Sequence, residues 1–136
     1  MKIDKIYFDM DIYAKRFNEL TVDELYEIFK LRCDVFVVEQ KCNDPEIDEL
    51  DKTAIHVAAW KDGELKGYLR IILKDDKTVV FGRVVSRERR QGTGRKIMEF
   101  ATDYAVREFG AEAIRIDAQT QAIPFYESVG FTVVSE

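Results

Sequence analysis

Four stretches of the chain carry the apolar or alternating pattern of β-strands. They cover residues 5–13, about 54–60, 64–73 and 78–85. Lys61-Asp62-Gly63 joins the second stretch to the third, and Asp-Gly between two such runs is a strong signal for a hairpin turn. This part of the chain is therefore predicted to form successive strands.

Apolar residues recur at helical spacing between the first and second of these stretches. They are Val22, Leu25, Ile28, Phe29 and Phe36. Thr21 and Glu24 stand at the spacing of a capping box, and Leu20 and Leu25 occupy the two positions of a hydrophobic staple. We therefore expect a helix that begins after Thr21 and buries one apolar face.

The second half of the chain predicts two further helices and two further strands. The longer helix is marked by Ile97, Met98, Ala101, Ala105 and Phe109. It ends at Gly110, and residues 113–118 then alternate as a strand. A short helix over about 122–129 stops at Gly130, and residues 131–134 form a last strand. The resulting order, β-α-β-β-β-α-β-α-β, predicts a mixed α/β sheet with helices packed on its faces.

Length, composition and charge limit the class of protein. A single domain over residues 1–136 is long enough to bury a core without metal or disulfide help. Hydrophobic residues make up 46% and charged residues 35%, which is typical of a globular chain, and the net charge of -5 argues against a general nucleic-acid binder. The first eleven residues are too charged for a signal peptide, and no apolar run approaches the roughly 20 residues of a membrane span. We therefore expect a cytoplasmic protein that binds neither nucleic acid nor membrane.

The cysteines and the one histidine predict no metal site. Cys33, Cys42 and His56 are too few for a zinc site of ordinary ligand count, and the cysteine spacing matches no metal or redox pair. Buried or idle thiols are the expected state of both cysteines.

Five cations fall between Arg87 and Lys96, where the longer helix begins. A helix N-terminus already carries partial positive charge, so cations there are unfavourable unless an anion binds between them. Gly92 and Gly94 let the backbone approach such a ligand, and the free N–H groups of the first turn can donate to it. The letters fit neither a P-loop nor the dinucleotide fingerprint, which needs a third glycine where Ile97 stands. The stretch is either a phosphate-binding turn of another kind or a solvated, arginine-rich helix start.

This turn and the C-terminal region together resemble the GNAT superfamily of acyl-CoA-dependent N-acyltransferases. Arg89-Arg90-Gln91-Gly92-Thr93-Gly94 is similar to the signature Arg/Gln-x-x-Gly-x-Gly/Ala. Pro124-Phe125-Tyr126-Glu127-Ser128-Val129-Gly130-Phe131 is similar to the second landmark, Phe-Tyr-x-x-x-Gly-Phe. The resemblance covers about residues 54–134 and implies a mixed, mostly antiparallel, twisted sheet with helices on both faces, in which acyl-CoA binds at a central strand splay.

The N-terminal half adds a narrower resemblance to the ElaA-like subfamily. It rests on residues 31–40, on Glu46-Ile47-Asp48 with Asp51, and on His56. The pattern Arg-x-x-x-Phe followed by these acids is also similar to acyl-homoserine-lactone synthases. The chain lacks the length and the downstream region that such synthases use for their acyl-carrier substrate.

The family resemblance implies an acetyl-CoA site. Main-chain groups of Val84 and Val85 would pair with the pantetheine arm, and the amides of residues 91–96 would hold the pyrophosphate. A glycine within a strand often marks a bulge, so residues 82–85 are predicted to be splayed or bulged, unless Gly82 serves only tight packing. Gln119 stands near the place where many relatives carry an asparagine. The implied cofactor-binding residues are Val84, Val85, Arg89, Arg90, Gln91, Gly92, Thr93, Gly94, Arg95, Lys96, Gln119 and Phe125.

The resemblance also implies direct transfer of the acetyl group to an amine. Tyr126 is the candidate general acid, because a phenol can protonate the departing CoA thiolate; the alternative is that it only places an aromatic ring in the core. A base must take a proton from the amine, and Glu39 is the first candidate and Asp117 the second; either could be an ordinary surface acid.

The acceptor side is the least determined part of the sequence. Arg32, Glu39 and His56 are the candidate substrate-binding residues. Arg32 and the acids between 39 and 51 form a network that fixes the acceptor loop, or the acids attract a cationic amine, or the loop is simply solvated. His56 is more simply interpreted as a hydrogen-bonded structural histidine, with substrate binding as the alternative. A CoA-binding sensor without catalysis, and a synthase-like acyltransferase, are the rival functions; monomer and homodimer are both open.

Overall fold

The computed structural model describes residues 10–39, 45–87, 92–116 and 122–134. The strands are β1 (Asp11–Arg16), β2 (Ile55–Lys61), β3 (Glu64–Leu73), β4 (Thr78–Ser86) and β5 (Ala113–Ile116). The helices are α1 (Val22–Arg32), α2 (Leu50–Thr53), α3 (Thr93–Phe109) and α4 (Ile123–Ser128). A 3-10 turn, Phe17–Glu19, precedes α1, and a π-helical segment, Cys33–Glu39, continues it.

The described strands form one sheet in the order β1-β2-β3-β4-β5. Every neighbouring pair is antiparallel except β4 and β5, which are parallel. Asp62 and Gly63 both have positive φ, 52° and 78°, as the tight turn between β2 and β3 requires. The mixed, mostly antiparallel sheet and its hairpin are therefore confirmed.

A β-bulge interrupts the pairing of β3 with β4, as the sequence predicts. Tyr68 pairs with Val85, whereas Arg70 pairs with Gly82, so Arg83 and Val84 together oppose one residue of β3. Arg83 has a φ of 51°, in the left-handed region that is uncommon for a residue other than glycine. An extra residue of this kind bends the strand and turns main-chain groups away from the ladder.

Helices cover both faces of the sheet and divide the core into two clusters. On one face, α3 buries its apolar side against the sheet, and Val84 and Tyr126 pack at the margin of that cluster. On the other face, α1 packs Ile28 and Leu31 against Tyr68. The two faces are therefore distinct: α3 and α4 lie on one, and α1 lies on the other.

Local signals explain where the helices begin and end. The Glu24 amide donates to Thr21 Oγ1 at 3.0 Å and the Thr21 amide donates to Glu24 Oε1 at 2.8 Å, which confirms the predicted capping box. Gly110 ends α3 with a φ of 62°. The expected burial of Val22 is wrong, since it is 84% exposed at the first position of α1.

Two predicted strands differ from the structure. The first runs over Asp11–Arg16 rather than 5–13, and residues 5–9 lie outside the described part of the chain. The last, 131–134, forms no strand, and Val133 and Val134 are exposed. Residues such as Phe, Thr and Val suit a segment to a sheet, but a strand also needs a neighbour that pairs with it, and the sequence of one segment does not specify that neighbour.

Gly67 is expected to be necessary for the contact between α3 and β3. A Cβ at Gly67 would overlap Ile97 Cδ1 and would lie 3.0 Å from Thr93 Cγ2, and both side chains are buried. Gly67→Ala should therefore lower the free energy of unfolding by about 1–3 kcal/mol, the usual cost of overpacking. Gly82→Ala is the control, because its Cβ would meet only Arg70 Nε, at an ordinary 3.8 Å. Urea unfolding measures both, and equal stability of the two variants would contradict the packing argument.

Candidate active site

Three arginines and three carboxylates meet on the α1 face of the sheet. They come from α1, the loop before α2, α2 itself, β3 and β4. They are Arg32, Glu46, Asp48, Asp51, Arg70 and Arg83, which we call the arginine cluster. Their formal charges cancel.

Arg32 is the centre of the arginine cluster and is fully buried. Its Nη1 and Nη2 donate to the two carboxylate oxygens of Asp51 at 2.7 and 3.2 Å. Its Nε donates to Glu46 Oε2 at 2.6 Å, and Nη2 also donates to the Glu46 carbonyl at 2.7 Å. Burial alone would lower the pKa of Arg32, but the hydrogen bonds to Asp51 and Glu46 outweigh it and the pKa is raised. The guanidinium therefore stays charged and fixes the loop before α2 to α1.

Arg70 supports the same loop from the sheet. Its Nη1 donates to Asp48 Oδ1 at 2.7 Å and to Asp51 Oδ1 at 2.9 Å, and its Nη2 donates to Asp48 Oδ2 at 3.1 Å. Burial would raise the pKa of Asp51, but hydrogen bonds and charge from Arg32, with a further bond from Arg70, hold it below its usual value. Sequence reasoning missed Arg70, although a charged residue between Leu69 and Ile71 in an apolar strand was the available signal.

Three acids of this region, Glu46, Asp48 and Asp51, are therefore paired with arginines, whereas Glu49 is exposed and pairs with Lys52. Glu46 is 8% exposed in its side chain and Asp51 2%, and each accepts hydrogen bonds from two cationic side chains or more. For Glu46, Asp48 and Asp51 the structure therefore has the network, one of the alternatives left open by the sequence. Glu49 lies outside this network, and Asp44 and the side chain of Glu39 lie outside the described part of the chain. A cationic amine approaching these residues would meet a neutral cluster.

His56 is buried and fully hydrogen-bonded. Its Nε2 lies 2.8 Å from the Asp51 carbonyl, which can only accept, so Nε2 carries the proton. Its Nδ1 then accepts from the Tyr68 hydroxyl, 2.6 Å away. Burial lowers the pKa of His56, so the ring is neutral at pH 7. His56 and Arg32 both have no solvent-exposed surface, so neither offers an atom to a substrate in this conformation.

The N-terminus of α3 offers free main-chain donors. Gly92 precedes the helix with a φ of 79°, and the first helical hydrogen bond runs from the Lys96 amide to the Gly92 carbonyl. The amides of the first turn therefore point out of the helix end, and no acidic side chain lies in that turn. Such an end can bind an anion. Arg89, Arg90 and Gln91 lie outside the described residues.

Gly94 has a packing role that the sequence did not reveal. A Cβ at Gly94 would lie 3.1 Å from Phe125 Cζ, so the glycine lets α4 approach the start of α3. Arg95 reinforces this approach, because its Nη2 lies 3.3 Å from Ser128 Oγ. The two segments that carry the family landmarks therefore contact each other.

Tyr126 lies on α4 between two aromatic neighbours. Its ring meets Phe125 at 5.3 Å and Phe131 at 6.1 Å between centroids, both edge to face. Burial raises the pKa of Tyr126, so its hydroxyl is protonated throughout the neutral range. The two candidate bases cannot be placed in the same way, because Asp117 and the side chain of Glu39 lie outside what the structure describes. The same is true of Gln119, a candidate cofactor-binding residue.

No metal centre accompanies these groups in the described part of the chain. Residues 10–39, 45–87, 92–116 and 122–134 contain no cluster of three or more histidines, cysteines or carboxylates placed to hold an ion. The same residues form no helix long and apolar enough to cross a membrane.

Comparison with known proteins gives consistent relatives. A family model described as an acetyltransferase (GNAT) domain matches residues 22–136. A UPF0039 protein of Schizosaccharomyces pombe is 42% identical over 132 residues, which are 94% of this chain and 88% of that protein. Protein ElaA of Escherichia coli is 38% identical over 125 residues, which are 88% of this chain and 82% of that protein.

Solved structures agree. The crystal structure of Escherichia coli ElaA aligns with a TM-score of 0.86 at 35% identity, over 93% of this chain and 90% of that one. The crystal structure of an acyl-CoA N-acyltransferase from Pseudomonas aeruginosa aligns with a TM-score of 0.84 at 40% identity, over 93% of this chain and 91% of that one.

Asp51→Asn is expected to destabilise the fold in a pH-dependent way. The substitution leaves Arg32 and Arg70 without a shared carboxylate, and removing one partner of a buried pair costs about 3–5 kcal/mol. Because the pKa of Asp51 is lowered in the folded state, this stabilisation is present above about pH 4 and is lost as pH falls through the lowered pKa. The stability difference between wild type and variant should therefore shrink in acid.

Urea unfolding from about pH 3 to pH 7 measures this difference. Glu49→Gln is the matched control, since its side chain is 89% exposed and should change stability little at any pH. A constant difference between wild type and Asp51→Asn across this range would contradict the assignment.

Proposed function

Because this chain belongs to the GNAT family of acetyltransferases, we propose that it moves an acetyl group from acetyl-CoA directly to the primary amine of an acceptor. The motif resemblance to GNAT proteins and to ElaA is confirmed, and the chain is an acyltransferase of a family that uses acyl-CoA. The donor acyl group and the amine are the proposed parts. The observation that carries the proposal is the open helix end of α3 in contact with α4, which bears Tyr126.

The donor site is proposed along α3 and β4. The pyrophosphate of CoA would accept hydrogen bonds from the first-turn amides of α3, and the basic residues Arg89, Arg90, Arg95 and Lys96 would add charge there. The pantetheine arm would run along the main chain of Val84 and Val85, next to the β4 bulge. This route is supported by the bulge itself, which turns main-chain groups out of the β3 ladder.

The chemistry needs one acid and one base. The amine nitrogen attacks the thioester carbonyl carbon, a C–N bond forms, and the C–S bond breaks as the CoA thiolate leaves. Tyr126 would give its proton to this sulfur, and its raised pKa keeps that proton available at neutral pH. Glu39, or otherwise Asp117, would take the proton released by the amine. Cys33 is a free, partly buried thiol at the start of the π-helical segment, and neither cysteine lies in a recognised nucleophile context, so we propose no acyl-enzyme.

The arginine cluster changes the roles proposed for two residues. Arg32 and His56 were candidates for contact with the acceptor, but both are buried and hydrogen-bonded to protein groups. We therefore assign them to holding the loop before α2 in place. The acceptor would then meet the exposed side of that loop and the start of α2, where Ile47 and Leu50 reach solvent.

The protein should release free CoA thiol from acetyl-CoA faster when an acceptor amine is present than when acetyl-CoA is supplied without an amine. The panel of amines includes a polyamine, an aminoglycoside, an amino sugar, a peptide N-terminus and lysine. Thiol release is followed with a disulfide reagent, and product mass must increase by one acetyl group. Binding of CoA with no release across the whole panel would instead favour a sensor.

Tyr126→Phe should lower kcat by about 100-fold, within the usual range for loss of a general acid, with little change in the Kd of acetyl-CoA. The ring contacts with Phe125 and Phe131 remain, so the fold should be unaffected. Tyr26→Phe is the control, since Tyr26 is 62% exposed on α1. Unchanged turnover in Tyr126→Phe would remove this residue from the mechanism.

A further inference from the structure

Arg83 adopts a backbone conformation that its residue type does not favour. Its φ of 51° lies in the left-handed region, where a Cβ crowds the backbone and glycine is preferred. Gly82 stands immediately before it, yet the positive φ falls on the arginine. A strained residue of this kind persists only where its surroundings hold it in place.

The side chain of Arg83 supplies such a restraint. Its Nε lies 3.0 Å from a carboxylate oxygen of Glu46, and its Nη2 donates to the Glu46 carbonyl at 3.1 Å. The same Nη2 lies 3.5 Å from Asp48 Oδ2. The bulge of β4 is therefore tied to both the main chain and the carboxylate of Glu46.

Glu46 is itself immobilised from the opposite direction. Its carboxylate and carbonyl accept from Arg32, which is fully buried on α1 and paired with Asp51. A continuous set of hydrogen bonds therefore runs from α1 through the loop before α2 to the bulge. Both ends of this connection are fixed elements of the fold.

Overall stability does not explain this connection. The Arg83 side chain is 25% exposed, so removing it opens no large cavity. Glu46 would keep Arg32 as its partner and Asp48 would keep Arg70, so no buried charge would be left alone. The consequence of losing Arg83 should therefore fall on the local shape of β4 rather than on folding.

We infer that Arg83 and Glu46 are positioning residues that hold the β4 bulge in the shape required for binding CoA. This inference rests on the proposed function, in which Val84 and Val85 offer their main chain to the pantetheine arm. Without the restraint, residue 83 relaxes out of the left-handed region and the bulge must be rebuilt when CoA binds. The loop before α2 and the donor strand are thereby coupled through one carboxylate.

Two substitutions of Arg83 separate the effect of its backbone conformation from the effect of its charge. Arg83→Ala and Arg83→Gly both remove the guanidinium, but glycine adopts positive φ without strain whereas alanine does not. In calorimetric titrations, Arg83→Ala should bind CoA roughly tenfold more weakly than wild type, because part of the binding free energy is used to restore the strained backbone conformation. Arg83→Gly should bind CoA with an affinity close to that of wild type. Glu46→Gln should weaken CoA binding in the same direction as Arg83→Ala.

Arg107→Ala is the charge-matched control. It removes one arginine from an exposed pair with Asp103 and should leave CoA affinity close to wild type. The Cα chemical shift of residue 83, taken relative to the random-coil value of the residue present in each variant, reports its backbone conformation without any ligand, and thermal unfolding shows that each variant is folded.

Equal weakening in Arg83→Ala and Arg83→Gly would overturn the inference, because the guanidinium would then act on the ligand by its charge. Affinity equal to wild type in both would overturn it as well. If wild-type protein binds no CoA, the proposed function fails. A changed backbone conformation of residue 83 in Arg83→Ala but not in Arg83→Gly would then show that the restraint exists but does not serve CoA binding.

Discussion

The described residues on the α1 face of the sheet depend on one interaction, the buried ion pair of Arg32 and Asp51. Both side chains are removed from water, and the desolvation this costs is offset only because the contact is bidentate and the remaining hydrogen-bonding groups are also satisfied. Arg32 uses its other donors on Glu46, and Asp51 accepts from Arg70 and from the Asp48 amide. The pair therefore organises the loop before α2, whose described residues 45–49 comprise three acids, one proline and the partly exposed Ile47.

The Asp51 position also connects the arginine cluster to the buried histidine. Its carboxylate holds the arginines, while its carbonyl accepts from His56 Nε2, which fixes the tautomer of the ring. That tautomer makes Nδ1 an acceptor for the Tyr68 hydroxyl on β3. Burial raises the pKa of Tyr68 and lowers that of His56, so both stay neutral. A neutral pair beside a charge-balanced cluster gives this face a rigid polar interior.

The two faces of the sheet consequently have different physical characters. On the α1 face, paired charges and directed hydrogen bonds set the shape of the loop proposed to border the acceptor. On the α3 face, close apolar contacts at Gly67 and Gly94 bring the start of α3 against β3 and α4. The β4 bulge lies between these faces, since Val85 packs into one cluster and Val84 into the other. A displacement of β4 would therefore change the packing on both faces of the sheet.

The sequence by itself determined the features that depend on neighbouring residues. The capping box at Thr21, the turn at Asp62-Gly63, the end of α3 at Gly110 and the bulge near Gly82 were all predictable, because each follows from residues a few positions apart. The two motifs likewise identified the family, since each is a short continuous segment.

Tertiary structure decided which charged groups pair and which segments pair with a neighbouring strand. Arg70 and Arg83 lie 19 and 37 positions from their partners Asp51 and Glu46, and the segment 131–134, which was predicted to be a strand, does not form one. Pairing over such separations is settled by the packing of the sheet against its helices, which no local pattern contains.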